Sequence, residues 1–377
     1  MPRIDLVFFD AGGGHRAAAH ALRQVIEEQQ RPWEVRLVNL QELLDPLDIF
    51  RRLTTVRLQD IYNLMLRNGW TLGSTYFLGM MHGIIRLYHR PVVRMLEKFW
   101  REERPDLVVS LVPNFNRAMG QSLRHALPGV SLATILTDFA DYPPHFWIER
   151  QPQYFVCGTA RAAQQARALG HDDAHIFQTS GMILAPRFYE TPEIDRAAER
   201  RKLGLDPELP TALVLFGGYG SRAMLEIARR LDGSGLKLQL ILICGRNETL
   251  ARDLRKLPHR IPMFVEGFTE EIPHYMRLSD FFIGKPGPGS ISEALAMKLP
   301  ALVERNAWTL PQERYNADWI VENQMGLVLR NFRYIVQAVA ELLQPENYRR
   351  FHAKAAACQN RAVFEIPDIL AKILAIK

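Results

Sequence analysis

Phe281-Phe282-Ile283-Gly284-Lys285-Pro286-Gly287-Pro288-Gly289-Ser290-Ile291-Ser292-Glu293-Ala294-Leu295-Ala296-Met297-Lys298-Leu299-Pro300 reads as a strand, a glycine turn and a helix. Four apolar or small residues run into a loop with three glycines in six positions, where the backbone can take positive φ and bare amides can approach a ligand. The helix is expected to open at Ser290, because Ser290 and Glu293 together have the spacing of a capping box. Glu293 then has two readings. It can do no more than cap, or it can stand one turn inside a helix whose first amides suit a diphosphate, its carboxylate accepting both hydrogen bonds of a ribose diol. The two roles are compatible in space.

At 377 residues the chain is longer than one compact core usually holds, so two domains are expected. Its 47% hydrophobic and 23% charged residues exclude a disordered chain. A net charge of +6 favours acidic partners, although a solvated basic face has the same composition. Nucleic-acid binding would rest on that charge alone and is not expected. Cys157, Cys244 and Cys358 are odd in number, far apart and without ligand-like spacing to a histidine. They therefore read as free thiols in a reducing cytosol, with neither a disulfide framework nor a zinc site. Met1-Pro2-Arg3 leads directly into a strand without the apolar region of a signal peptide, and no run is long enough to span a bilayer. Any membrane contact is expected to be peripheral.

Ile4 to Phe9 is apolar apart from Asp5, and Ala11-Gly12-Gly13-Gly14 and a helical pattern from His15 to Glu28 follow it. This is the opening of a doubly wound α/β domain. The spacing is not G-x-G-x-x-G, and the next strand, Val35 to Val38, ends at Asn39 rather than at an acid, which argues against a dehydrogenase. His15 stands where a helix begins, and a helix N-terminus disfavours the protonated ring, so His15 is either a neutral proton acceptor or a loop histidine without chemistry. In the stretch from 41 to 104, Leu78, Met81, Ile85 and Tyr88 recur at helical spacing with Arg86 and Arg90 on another side. Pro91 should end or kink that helix, with Val92, Met95 and Phe99 continuing an apolar stripe opposite Arg94 and Lys98. Arg51, Arg52, Arg57, Arg67, Trp70, Tyr76 and Phe77 precede them. Helices of this kind either pack on the sheet with a basic edge or lie on an anionic bilayer. Strands resume at Leu107 to Leu111 and Leu132 to Leu136, which puts Asp138 at a strand end. It is a second candidate base, or else caps the turn Phe139 to Pro144. Asp138 and Asp141 do not form Asp-x-Asp, so no metal is inferred.

Thr191 to Arg200 reads as a linker, after which Ala212 to Phe216 opens a second α/β series that repeats the first design: strand, Gly217-Gly218-Tyr219-Gly220, helix. That glycine loop suits phosphate oxygens, or is simply a tight turn. Leu238 to Ile243 ends in Cys244-Gly245-Arg246-Asn247, where Arg246 could offset diphosphate charge. The duplication points to an α/β fold of the GT-B kind, with two doubly wound, Rossmann-like domains facing a central cleft. Its expected limits are 1–190 for the first domain, 191–345 for the second, and 346–377 for helices returning to the first domain.

Gly287-Pro288-Gly289-Ser290 with Glu293-Ala294, followed by Pro311-Gln312-Glu313 and Asn316, resembles the donor half of the UDP-sugar glycosyltransferases. These include monogalactosyldiacylglycerol synthases, diacylglycerol glucosyltransferases and the lipid-linked N-acetylglucosaminyltransferase of peptidoglycan synthesis. The resemblance extends in order to Gly12-Gly13-Gly14-His15-Arg16, Gly217 to Gly220 and Cys244 to Asn247. It implies an inverting transfer of galactose or glucose from a UDP-hexose to diacylglycerol, without metal or cofactor, by a peripheral enzyme on the cytoplasmic face of an anionic membrane. It also implies that Val265-Glu266-Gly267-Phe268 reads the uracil, that Glu293 holds the ribose, and that Gln312 and Glu313 hold the hexose, with Asn316 close by. Gly13, Gly14 and Trp147 fall on the acceptor side, with His15 or Asp138 as base. The alternatives are a UDP-sugar transferase for another lipid-linked or soluble acceptor, and a nucleotide-binding protein without transferase activity.

Overall fold

The computed structural model describes residues 1–10, 13–47 and 74–376. Of these, the residues up to Pro186 and from Asn360 onward form one compact unit, and Arg187–Gln359 form a second.

Six parallel strands make the sheet of the first unit: β1 (Arg3–Phe8), β2 (Glu34–Asn39), β3 (Leu107–Ser110), β4 (Ser131–Ile135), β5 (Tyr154–Cys157) and β6 (Ile176–Gln178). They lie in the order β2-β1-β3-β4-β5-β6. The succession reverses between β1 and β3, and in open parallel sheets ligands bind beyond the strand C-termini at such a switch point. Strands buried on both faces read as largely apolar runs, and the charged exception in β1, Asp5, is fully buried. Arg36 on the neighbouring strand answers it with a two-pronged bond, at 2.8 and 2.6 Å.

One face of this sheet is covered by Gly14–Glu28 and Ala362–Ala375, whose Leu22, Ile26, Ile366 and Leu370 share a core with Ile4 and Leu6. The expected tail from 346 to 377 therefore divides. Pro345–Ala357 stays with the second unit, where Phe351 enters the core and the Tyr348 hydroxyl donates to the Asp280 carbonyl. The other face carries Ser74–Glu103, a single helix that runs through Pro91 instead of ending there. The proline removes one amide from the ladder. Val92, Val93, Leu96 and Trp100 pin the helix beyond that break by burying themselves against the sheet. The buried stripe thus differs from the expected one, and Met95 and Phe99 are only half-buried at its border, while Arg86, Arg90, Arg94 and Lys98 are exposed as expected. Arg51, Arg52, Arg57, Arg67 and Trp70, and the side chains of Tyr76, Phe77, Leu78 and Met81, lie outside the described residues.

In the second unit β7 (Thr211–Leu215), β8 (Gln239–Ile243), β9 (Met263–Glu266), β10 (Phe281–Gly284), β11 (Ala301–Glu304) and β12 (Gly326–Leu329) are again all parallel. Their order, β12-β11-β10-β7-β8-β9, is the Rossmann order, with its switch point between β7 and β10. The fold is α/β, with two Rossmann-like domains of the GT-B class. In the second unit Asp280, just before β10, accepts from Arg200 at 2.8 Å, Arg196 at 2.7 Å and the Thr211 amide at 2.7 Å. The Arg200 side chain is only 4% exposed, so removing its carboxylate partner strands a charge out of water. Asp280→Ala is expected to cost the second unit about 3 kcal/mol, read as a fall in its urea midpoint. A loss under about 1 kcal/mol would mean that the pair behaves like a solvated surface bridge.

Candidate active site

At the switch point of the second unit the loops after β7 and β8 meet backbone to backbone. The Arg246 amide donates to the Gly218 carbonyl at 2.8 Å. A β-carbon on Gly245 would stand 2.3 Å from that same oxygen, and Gly245 has φ +58°, so only glycine fits. Gly217 and Gly220 also take positive φ, and the Tyr219 carbonyl accepts from Asn247 at 3.4 Å, while Gly218 itself is exposed. Arg246 places its guanidinium 4.8 Å from the ring centroid of Phe268, which is 56% exposed. Two residues singled out separately thus form one stacked pair. Just before it, Glu266 accepts from the Gly267 amide at 2.8 Å and from the Tyr275 hydroxyl at 3.0 Å, fixing the turn that leaves β9.

The helix after β10 starts earlier than expected. Its N-cap is Gly287 and its span Pro288–Ala296, because proline at the first position is already set to helical φ. Ser290 is therefore the third helical residue and Glu293 the sixth, and the capping box does not form. The N-cap residue is a glycine and has no side chain to cap with, so the amides of Gly289 and Ser290, which a first turn cannot pair internally, are available to a ligand. Released from capping, Glu293 is a partly buried carboxyl that desolvation pushes up to about 7, against the pull of Arg187.

Gln312 and Glu313 lie in a single turn, Pro311–Glu313, ahead of the helix Arg314–Glu322. Gln312 is partly buried, and its Oε1 has no hydrogen-bond partner among the described residues. Glu313 is 7% exposed and accepts from Lys285 Nζ at 3.0 Å. Asn316 leaves its Oδ1 without a hydrogen-bond partner among the described residues. It is fully enclosed, and its Nδ2 donates to the Pro286 carbonyl at 2.8 Å, so it braces the glycine turn. Lys285 was passed over in the sequence because its partner Glu313 lies 28 positions away. A lone lysine beside a glycine turn carries no spacing signal.

At the switch point of the first unit, Gly13 caps the helix Gly14–Glu28 with φ +82°, while Gly12 lies outside the described residues. His15, in its first turn, has Nδ1 3.0 Å from the Thr137 hydroxyl and bonds to the backbone of Leu111, the residue after β3. Burial pulls the ring down to about 4, so it is neutral, with one nitrogen donating and the other basic. Its ring centroid lies 5.9 Å from that of Trp147. Trp147 cannot offer a face to an acceptor, because it is fully buried. Its indole N–H donates to Asp138 at 2.8 Å and its amide to Asp141 at 2.7 Å. His15, Asp138 and Trp147 are therefore one cluster. Asp141 fixes the same turn, since it also accepts from the amides of Ile148 and Tyr142, and burial pushes its carboxyl up to about 6.

The shift at Glu293 has a definite sign. Its folded carboxyl, near 7, lies above its unfolded value, so the stability it contributes is full below about pH 4.5 and is lost as pH rises through 7. At pH 8 the ionised form costs up to about 3 kcal/mol. Glu293→Gln is expected to be more stable than the parent at pH 8 and level with it near pH 4.5, by urea denaturation. A difference that does not vary with pH would rule out a desolvated carboxyl.

Two family models match in succession: monogalactosyldiacylglycerol (MGDG) synthase over residues 15–182, and the glycosyltransferase family 28 C-terminal domain over residues 212–370. The chain is 27% identical to the chloroplastic monogalactosyldiacylglycerol synthase of Spinacia oleracea, over 99% of this chain and 71% of that one. Among solved structures it resembles MurG of Acinetobacter baumannii, at TM-score 0.64 and 14% identity, covering 99% of this chain and all of that one. The UDP complex of MnaA from S. aureus superposes at TM-score 0.62 and 17% identity, over 100% and 98% of the two chains. The first model ends just past the first sheet and the second spans the other from β7, so the chain is similar, unit by unit, to a monogalactosyldiacylglycerol synthase and to a glycosyltransferase family 28 C-terminal domain, on a fold of the GT-B class.

Proposed function

We propose that this protein transfers a hexose, galactose or glucose, from its UDP-sugar to the hydroxyl of diacylglycerol, with inversion at the anomeric carbon. The carrying observation is the second switch point. There the amides of Gly289 and Ser290, the exposed Arg246–Phe268 pair, Glu293 and the Gln312–Glu313 turn stand on the segments that follow β8 to β11. Bare amides and a helix start suit a diphosphate, and fixed dipoles stabilise the charge that grows on departing UDP. The proposal assigns that charge to these groups and not to a metal ion. Diacylglycerol as acceptor is supported by the family model over residues 15–182 and by the relatives.

The acceptor hydroxyl attacks the anomeric carbon in line, the bond to the UDP oxygen breaks, and the acceptor's proton passes to a base. His15 is the first choice, since its ring is neutral and the Thr137 hydroxyl lies on one nitrogen. Asp138, set by the Trp147 indole, is the second. The reaction is placed at the cytoplasmic face of the membrane. In the helix Ser74–Glu103, Leu87 is 77% exposed with Arg90 and Arg94, exposed too, three and seven positions on, an apolar contact ringed by cations that suits anionic lipid. Among the described residues no helix is long and apolar enough to cross a membrane.

Purified protein in mixed micelles of diacylglycerol and anionic lipid, given UDP-galactose and UDP-glucose in parallel, is expected to form one new glycolipid, equally well in EDTA. UDP binding without product from either donor would overturn the acceptor. The true base, replaced as His15→Ala or Asp138→Asn, should lose at least about 100-fold in turnover. A variant that keeps near-parental turnover removes its residue from the role. For the membrane contact, Leu87→Glu should lower co-sedimentation with anionic vesicles, and unchanged binding would discard that helix face.

A further inference from the structure

We propose that Lys285 is the cation that receives the diphosphate of the donor, and that Glu313 holds it in place until the donor arrives; the inference rests on the UDP-sugar reading above. Lys285 follows β10 at the switch point and lies across two glycine turns. Its Cε is 3.7 Å from where a β-carbon on Gly217 would stand and 3.4 Å from where one on Gly287 would stand. The room that lets backbone amides approach phosphate thus also holds the stem of this lysine. Its Nζ is 3.0 Å from Glu313 Oε1, with the lysine side chain 39% exposed and the glutamate side chain 10%. The ammonium is therefore open to a ligand, while its carboxylate partner is turned inward.

The pair joins groups with different tasks. Glu313 is placed to accept from hexose hydroxyls, and Lys285 stands over the turns that suit the diphosphate. In the free protein each neutralises the other. A diphosphate carries more negative charge than one carboxylate and offers several acceptor oxygens, so on arrival it draws the ammonium away and leaves Oε1 to the sugar. Lys285 in this way couples nucleotide binding to the readiness of the hexose site. Asn316, by holding the Pro286 carbonyl, fixes the residue next to Lys285 and limits where that ammonium can go.

The test is calorimetric titration of the full chain with UDP, uridine and UDP-hexose. Lys285→Ala should lose about 30-fold or more in affinity for UDP while uridine binding stays within about two-fold, and Lys285→Arg should retain most UDP affinity. Glu313→Gln should bind UDP more tightly than the parent, by about three-fold or more, because the lysine is no longer shared, and that gain should vanish in the double variant. UDP affinity unchanged in Lys285→Ala, an equal loss for UDP and uridine, or weaker UDP binding in Glu313→Gln would each overturn the proposal. A parent protein that binds neither UDP nor UDP-hexose would instead overturn the UDP-sugar reading itself.

Discussion

The carbonyl of Gly218 lies where a β-carbon on Gly245 would come within 2.3 Å of it, and the carbonyl of Leu215 where one on Gly284 would come within 2.4 Å. Backbone in contact with backbone at the ends of β7, β8 and β10 is the constraint on which the second site depends. Side chains on these turns would push the loops apart and fill the space in which Lys285 lies. The parallel strands supply the direction, since all six end at the same edge. The Rossmann order supplies the gap, since the helices after β7 and β10 leave on opposite sides of the switch point. Because glycine at these positions leaves no side chain to bind with, the proposed donor recognition falls to amides and to a few residues one step further along: Lys285, Glu293, Arg246 and Phe268.

The first unit answers the same topological problem differently. Its site is assembled from side chains, and the piece that joins them is Trp147. One indole and one amide of that residue set two carboxylates, Asp138 and Asp141, while its ring lies beside His15. Burial moves the titrating groups of both units toward neutrality in opposite directions, His15 down to about 4 and Glu293 up to about 7. The cause is single, because a low-dielectric setting disfavours whichever form is charged, imidazolium in one case and carboxylate in the other. A neutral His15 is ready to accept a proton, whereas Glu293 needs ligand hydroxyls to restore the solvation that its ionised form has lost.

Much of this was legible in the sequence, and what was not has physical reasons. Apolar runs ending in glycine turns mark the strands and loops at Phe8, Leu215 and Gly284, since these signals are local. The start of the helix at Pro288 was misplaced because the Ser290–Glu293 spacing imitates a capping box, while proline at the first position decides the matter by its fixed φ. Of the two outcomes expected at Pro91, an end or a kink, the end does not occur, because local preference ignores what sheet packing can hold together. The burial of Trp147, which turns its ring inward instead of toward an acceptor, has no local signal, since burial is set by the tertiary fold. Lys285 and Thr137 were missed because each gains its meaning from a partner distant in sequence, Glu313 in one case and His15 in the other.

The same distinction separates the residues by what their loss can do. Trp147 is fully enclosed and its N–H groups bond to carboxylates of the chain itself, so it acts on chemistry only through the groups that it holds, and the Nδ2 of the enclosed Asn316 likewise holds the Pro286 carbonyl. Arg246, Phe268 and Lys285 keep solvent-facing surface at a strand-end loop, where a ligand can reach them directly. Glu313 belongs to both sets, since it is buried like the first group and bonded to a member of the second. A carboxylate so placed cannot stay unpaired without a large desolvation cost. It must pass from one partner to another, and the ammonium of Lys285 is the partner that it has before any sugar arrives.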